Sequence, residues 1–146
     1  MIKIGEIMAK KIKKFSLGNS VRKRQLTRTI ENLTKGLVYV SETDAPFEVF
    51  IVAGTEEFYG GLEKEDRPVE EISVDKFFAR LVKNQDWHGD KEKEMARKLL
   101  KLKDFLDSNL NNLRVFRIGR VQIEIYVVGL DEDGRLVGIK TKATET

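Results

Sequence analysis

Few residues of the chain belong to the types that usually perform catalysis. His88 is the only histidine and there is no cysteine, which leaves little for a nucleophilic triad or a zinc site, since both need several such side chains in defined positions. The glycines of YGG, residues 59–61, are not followed by the Lys-Ser/Thr pair of a phosphate-binding loop. In DEDG, placing Gly134 at the sixth position of a calcium loop puts Gly129 first and Lys140 twelfth, where carboxylates are required. DEDG is therefore predicted to be a charged hairpin turn.

Carboxylates remain plentiful, with 24 aspartate and glutamate residues. Glu42, Asp44, Glu56, Glu57 and the acidic residues of 63–66 could form a negative face. Two carboxylates held together can bind a metal ion or share a proton, whereas separate ones are ordinary solvated surface charge. Nothing in their spacing pairs them, so both interpretations stay open at this point.

The only tryptophan lies in a polar segment, KNQDWHGDK, residues 83–91. Trp87 could fold back into a core, or it could be an exposed anchor for a partner, since tryptophan is among the commonest binding hot spots. His88 beside it is predicted to be a loop residue rather than a metal ligand.

Composition describes a chain with a heavily charged surface. The 146 residues are 40% hydrophobic and 35% charged, which is enough for one domain with a real core. No apolar run approaches the roughly 18 residues that cross a bilayer, and the N-terminus has no apolar segment typical of a secretory signal. We expect a cytoplasmic protein that binds no membrane and no cofactor.

Charge is distributed unevenly along the chain. Residues 1–24 contain eight basic residues and one acidic residue, Glu6, which gives a net charge of +7. Because the whole chain carries +3, the other 122 residues carry −4. The sequence predicts a basic, flexible N-terminal extension over 1–24 and a folded domain over 25–146. The extension is interpreted as a solvated arm, or as a segment that contacts nucleic acid or another acidic surface.

Hydrophobic periodicity places the first elements of the folded domain. Residues 25–36 put Leu26, Ile30 and Leu33 on one helical face, and Gly36 is a natural stop. Two strands are predicted at 37–40 and 47–54, separated by the turn SETDAP. The stretch 55–68, with its Gly-Gly pair and Pro68, is predicted to be a loop.

The second half contains two further helices and three strands. Ser73 is the predicted N-cap of one helix and Asp90 that of the longest, DKEKEMARKLLKLKDFLDSNLNN. One face of this longest helix is predicted to carry Met95, Leu99, Leu102, Leu106 and Leu110. Strands follow at LRVFRIG, at VQIEIYVVGL and after DEDG. In the second of these strands one face is predicted to hold Val121, Ile123, Ile125 and Val127. The order α, β, β, α, α, β, β, β indicates an α+β fold with a mixed, mostly antiparallel sheet.

Several blocks of the sequence resemble the nuclease A inhibitor family. These are VSETDAPFEVFIV, VDKFFARLVKNQDWHGD, SNLNNLRVFRIG and the terminal GIKTKATET, in the same order and with similar spacing from about Gln25 to Thr146. The resemblance implies an α/β/α sandwich similar to the fold of pathogenesis-related protein 1. It also implies a protein that is not an enzyme and that binds and blocks a magnesium-dependent, sugar-non-specific DNA/RNA endonuclease.

The resemblance also implies which residues contact the partner. The glutamate after the first strand, the tryptophan of the QDW step and the C-terminal threonine match Glu42, Trp87 and Thr146, while the flanking His88-Gly89 and Lys140 depart from the family pattern. Glu42 and Thr146, through its hydroxyl or α-carboxylate, would approach the Mg²⁺ of the nuclease, which favours hard oxygen ligands. The open alternatives are a nucleic-acid-binding module that uses the basic extension, and a protein-interaction module of the same fold with another partner.

Overall fold

The computed structural model describes residues 17–85 and 89–146. Four helices lie in this part of the chain: α1 (Leu17–Thr34), α2 (Thr55–Glu63), α3 (Val74–Gln85) and α4 (Asp90–Asn109). The strands are β1 (Val38–Tyr39), β2 (Ala45–Pro46), β3 (Glu48–Val52), β4 (Val69–Ile72), β5 (Asn111–Ile118), β6 (Gln122–Leu130) and β7 (Leu136–Thr144). None of the described helices is long and apolar enough to span a bilayer.

The strands form one large sheet and one small ribbon. Five strands lie in the order β3-β7-β6-β5-β4, and β1 pairs with β2 separately. Every pairing within the described residues is antiparallel. An α+β architecture with an antiparallel sheet is thus confirmed, whereas the parallel component of the predicted mixed sheet is not found in this part of the chain.

Two separate groups of apolar side chains lie on opposite faces of this sheet. Ile123, Ile125 and Val127 of β6 pack with residues from α1, α3 and α4, as the predicted alternation requires. On the other face Val128 packs with Phe116 and with side chains of α2. Helices therefore cover apolar side chains on both faces of the central strands.

Helical periodicity located the buried faces of α1 and α4. Ile30, Leu99, Leu102 and Leu106 are all buried, as predicted. The α1 helix begins at Leu17 and crosses the predicted join at residue 24 without a break. After its end, Gly36 adopts a left-handed φ of 80°, which favours glycine because a Cβ is unfavourable there.

Several local expectations were wrong. Residues 55–63 form α2 rather than a loop, and β4 was not predicted. Asp90 is not the N-cap of α4: Gly89 holds that position with a φ of 121° and no side-chain cap, so the chain enters α4 through a conformation that favours glycine. Ser73 does precede α3, and its hydroxyl accepts the Lys76 N–H at 3.4 Å.

Candidate functional site

Glu42 lies in a turn that the chain fixes through its own short polar side chains. The Ser41 N–H donates to Asp44 Oδ1 at 3.2 Å, and the Ser41 hydroxyl donates to the Thr43 carbonyl at 2.8 Å. Ser and Asp favour turns because their side chains bond the nearby backbone. This turn joins β1 to β2 and leaves the Glu42 side chain exposed.

The end of β7 lies between this turn and the start of β6. On one side the Glu42 N–H donates to the Thr144 carbonyl at 3.2 Å, and the Thr144 N–H donates to Ser41 Oγ at 3.1 Å. On the other side the Glu145 N–H donates to the Val121 carbonyl at 2.9 Å. The last residues are thus bonded on both flanks, which fixes their direction.

This arrangement brings Glu42 and Thr146 together. The Thr146 hydroxyl donates to Glu42 Oε1, although the two residues are 104 positions apart in sequence. Both side chains are exposed. The structure therefore places two of the three sequence-predicted site residues in direct contact at the surface.

An ion pair beside this contact ties the C-terminal segment to the sheet. Arg117 on β5 donates to Glu145 Oε2 at 2.6 Å, and the Arg117 side chain is only 13% exposed. Burial raises the pKa of the nearby Tyr39 phenol, while the Arg117 guanidinium acts in the opposite direction. Arg117 thus contributes a positive charge under a surface that carries Glu42 and Glu145.

Trp87 and His88, the other residues singled out in the sequence, lie outside the described residues. The preceding helix α3 ends at Gln85. It packs against the ribbon that leads to Glu42, because the rings of Phe77 and Tyr39 stack with their centroids 6.1 Å apart. The described part of α3 is thereby anchored close to the Glu42 turn.

The contact between Glu42 and Thr146 joins two exposed side chains. Two clefts of about 500 and 330 Å³ lie along α1, and neither is lined by Glu42 or Thr146. Among the described side chains, no group of three or more histidine, cysteine, aspartate or glutamate residues could hold a metal ion. An exposed carboxylate and hydroxyl can instead present oxygen atoms to a group carried by another molecule.

Comparison with models of protein families identifies the family to which the chain belongs. The model of the nuclease A inhibitor-like proteins matches residues 24–146, which is most of the sequence. The chain belongs to the nuclease A inhibitor-like family. No curated protein matches it. The family that its sequence blocks resemble is thereby confirmed.

Sequence reasoning missed the residues that position the site of this nuclease A inhibitor-like protein. Ser41 and Asp44 carried a usable signal, because a serine and an aspartate three residues apart are typical of a self-bonded turn. Arg117 and Glu145 carried none, since their contact depends on how the strands pair. A local sequence pattern is therefore enough to identify the turn, whereas the ion pair can be identified only once the pairing of the strands is known.

Proposed function

We propose that the protein binds a magnesium-dependent, sugar-non-specific endonuclease and occludes its active site, and that it is not itself an enzyme. Family membership supports a nuclease inhibitor role. The observation that carries the proposed mechanism is the convergence of Glu42 and Thr146 on an exposed surface. The nuclease is the partner in this proposal, and its active-site Mg²⁺ is the group that these residues approach.

The chemistry of the two side chains suits such a target. A nuclease Mg²⁺ normally meets phosphate oxygens and prefers hard oxygen ligands. The carboxylate of Glu42 has two acceptor oxygens, and the bond from Thr146 engages Oε1. On binding, the carboxylate can approach the ion directly or through one of its waters. The Thr146 hydroxyl then supplies a second oxygen beside it.

The remaining parts of the proposal follow the family resemblance. Trp87 is proposed as the hydrophobic anchor at the border of the nuclease site, in keeping with the frequency of tryptophan at binding hot spots. We also propose the α/β/α sandwich similar to pathogenesis-related protein 1 as the finer description of the fold. Helices packed against both faces of the sheet support that description.

Titration of the protein into a magnesium-dependent, non-specific nuclease assay tests the proposal. We expect stoichiometric loss of both DNase and RNase activity, and this loss should persist when Mg²⁺ is raised well above the protein concentration. Recovery of activity with excess Mg²⁺ would indicate metal scavenging and would contradict a protein complex.

Two substitutions test the proposed contact. Glu42→Ala and Thr146→Val should each weaken inhibition about tenfold or more, because each removes an oxygen from the centre of the interface. Glu63→Ala is the charge-matched control, since Glu63 is exposed at the end of α2, which packs on the other face of the sheet. If both site variants inhibit as strongly as the wild type, the proposed contact is wrong, although the inhibitor role itself stands.

A nucleic-acid-binding module is the second candidate function. One structural observation favours it: Arg24 and Arg28 are exposed on α1, which continues from the basic N-terminal residues. Binding of this kind would weaken steeply with salt, because it depends on displacing counterions from phosphates. A DNA or RNA affinity that is weak and insensitive to salt would exclude it.

A further inference from the structure

Val121 was predicted to lie on the buried face of β6, and the structure contradicts this. Its side chain is 48% exposed, because β6 begins only at Gln122 and Val121 belongs to the turn before it. Val40, which follows β1, is 47% exposed. Single exposed apolar residues are common, so the position of these two decides whether they matter.

Both valines border the segment that carries Thr146. The Val121 carbonyl accepts the Glu145 N–H on one side of this segment. On the other side, Val40 immediately precedes Ser41, whose Oγ accepts the Thr144 N–H. Neighbouring hydrogen-bonded strands lie about 4.8 Å apart, so the two segments that carry the valines are roughly 10 Å apart. Glu42 belongs to the segment that carries Val40, and Thr146 to the segment between the two valines.

We propose that Val40 and Val121 are the apolar flanks of the nuclease-binding surface and pack against the protein border of the metal site. This inference rests on the proposed function and adds to it the residues that exclude water from the Glu42 carboxylate and the Thr146 hydroxyl. Contacts between charges and oxygen atoms strengthen as water is excluded from around them. Residues around a hot spot commonly act by excluding water.

The chemistry of the surface selects this occupant. A nucleic acid would place phosphates beside the carboxylates of Glu42 and Glu145, which repel them. A nuclease metal site offers a cation to the carboxylate of Glu42, and in the proposed complex apolar side chains of the nuclease pack against the two valines. Exposed oxygen-bearing and exposed apolar residues thus lie in neighbouring hydrogen-bonded segments.

Serine substitutions of the full-length protein test the inference. Val40→Ser and Val121→Ser should each weaken inhibition about fivefold to tenfold through faster dissociation, since each removes apolar area that the complex buries. The double variant should be weaker than either single variant. Leu100→Ser is the matched control, because Leu100 on α4 is 45% exposed, and it should inhibit like the wild type. Thermal unfolding should be similar for all four variants, because the altered residues are exposed.

The outcomes separate this inference from the proposed function. If the wild type inhibits, Glu42→Ala weakens it and the double valine variant inhibits normally, the flanking role is wrong and the proposed function stands. If the wild type does not inhibit at all, both are wrong. If the valine variants inhibit normally but abolish self-association in sedimentation, the surface binds a second copy of the chain, and the inference is overturned.

Discussion

Arg117 can matter to the proposed binding site without facing the proposed partner. Its guanidinium bonds Glu145, and the neighbouring Thr146 bonds Glu42. The ion pair therefore fixes the segment that presents the Thr146 hydroxyl. A fixed presentation favours affinity because less conformational freedom is lost on binding.

Replacing Arg117 by methionine tests this positioning role. Arg117→Met should weaken inhibition about fivefold, whereas Arg117→Lys should retain most of it because the positive charge is kept. The free energy of unfolding should fall by only about 1 kcal/mol, since the Glu145 side chain is 47% exposed and ion pairs near water contribute little. Inhibition titrations and urea unfolding of the same preparations measure the two effects.

A double-mutant cycle distinguishes positioning from direct contact. If Arg117 acts through Glu145, then Arg117→Met, Glu145→Ala and the double variant should all weaken inhibition to the same extent. Losses that add independently in the double variant would show that each residue contacts the nuclease separately, and the positioning role would be wrong.

At the scale of elements, α2 shows why part of the fold escaped sequence reasoning. Gly60 and Gly61 indicate a loop, because glycine lowers helix stability by about 1 kcal/mol relative to alanine. Tertiary contacts override that preference: Phe58 packs against Phe50 and Tyr126, with ring centroids 5.6 and 5.3 Å away. Phe50 lies on β3, directly before α2, but Tyr126 comes from the distant strand β6, so no local pattern could identify that contact. In α4, by contrast, three buried leucines at helical spacing were enough.

Gly61 of α2 and Gly138 of β7 yield stability predictions of opposite sign. A Cβ added at Gly61 meets nothing within 4 Å, so Gly61→Ala should raise the free energy of unfolding by about 0.5–1 kcal/mol. At Gly138 on β7 a Cβ would lie 1.8 Å from the Val127 carbonyl oxygen, so Gly138→Ala should destabilise by about 3 kcal/mol or more. Urea unfolding of both variants checks the opposite signs. Destabilisation by Gly61→Ala would show that α2 is not helical at that position.

The candidate site itself was only partly predictable from the sequence. The resemblance to the family indicated Glu42 and Thr146, and the structure joins them. Their contact could not be derived from spacing, because it requires β7 to end beside the turn that precedes β2. The exposure of Val121 depends in the same way on where β6 begins. The sequence thus identifies candidate residues, whereas their distances from one another and their exposure depend on how the strands pair.

At the scale of the whole molecule, charge should govern how quickly the complex forms. Residues 1–16 contain five lysines and one glutamate, a net charge of +4. Because the whole chain carries +3, the remaining residues carry −1. A nucleic-acid-cleaving groove is positive, so like charge on residues 1–16 opposes the encounter. Long-range charge of this kind changes association rates more than dissociation rates.

Truncation before α1 tests this expectation. The chain without residues 1–16 should associate with the nuclease several-fold faster at low salt, and the two rates should converge as salt rises, because the Debye length is only about 8 Å at physiological ionic strength. Dissociation should be unchanged, since the proposed contacts all lie beyond residue 39. Stopped-flow association at several salt concentrations measures the effect. Slower association or faster dissociation of the truncated chain would mean that residues 1–16 contact the nuclease themselves, and the electrostatic account would be wrong.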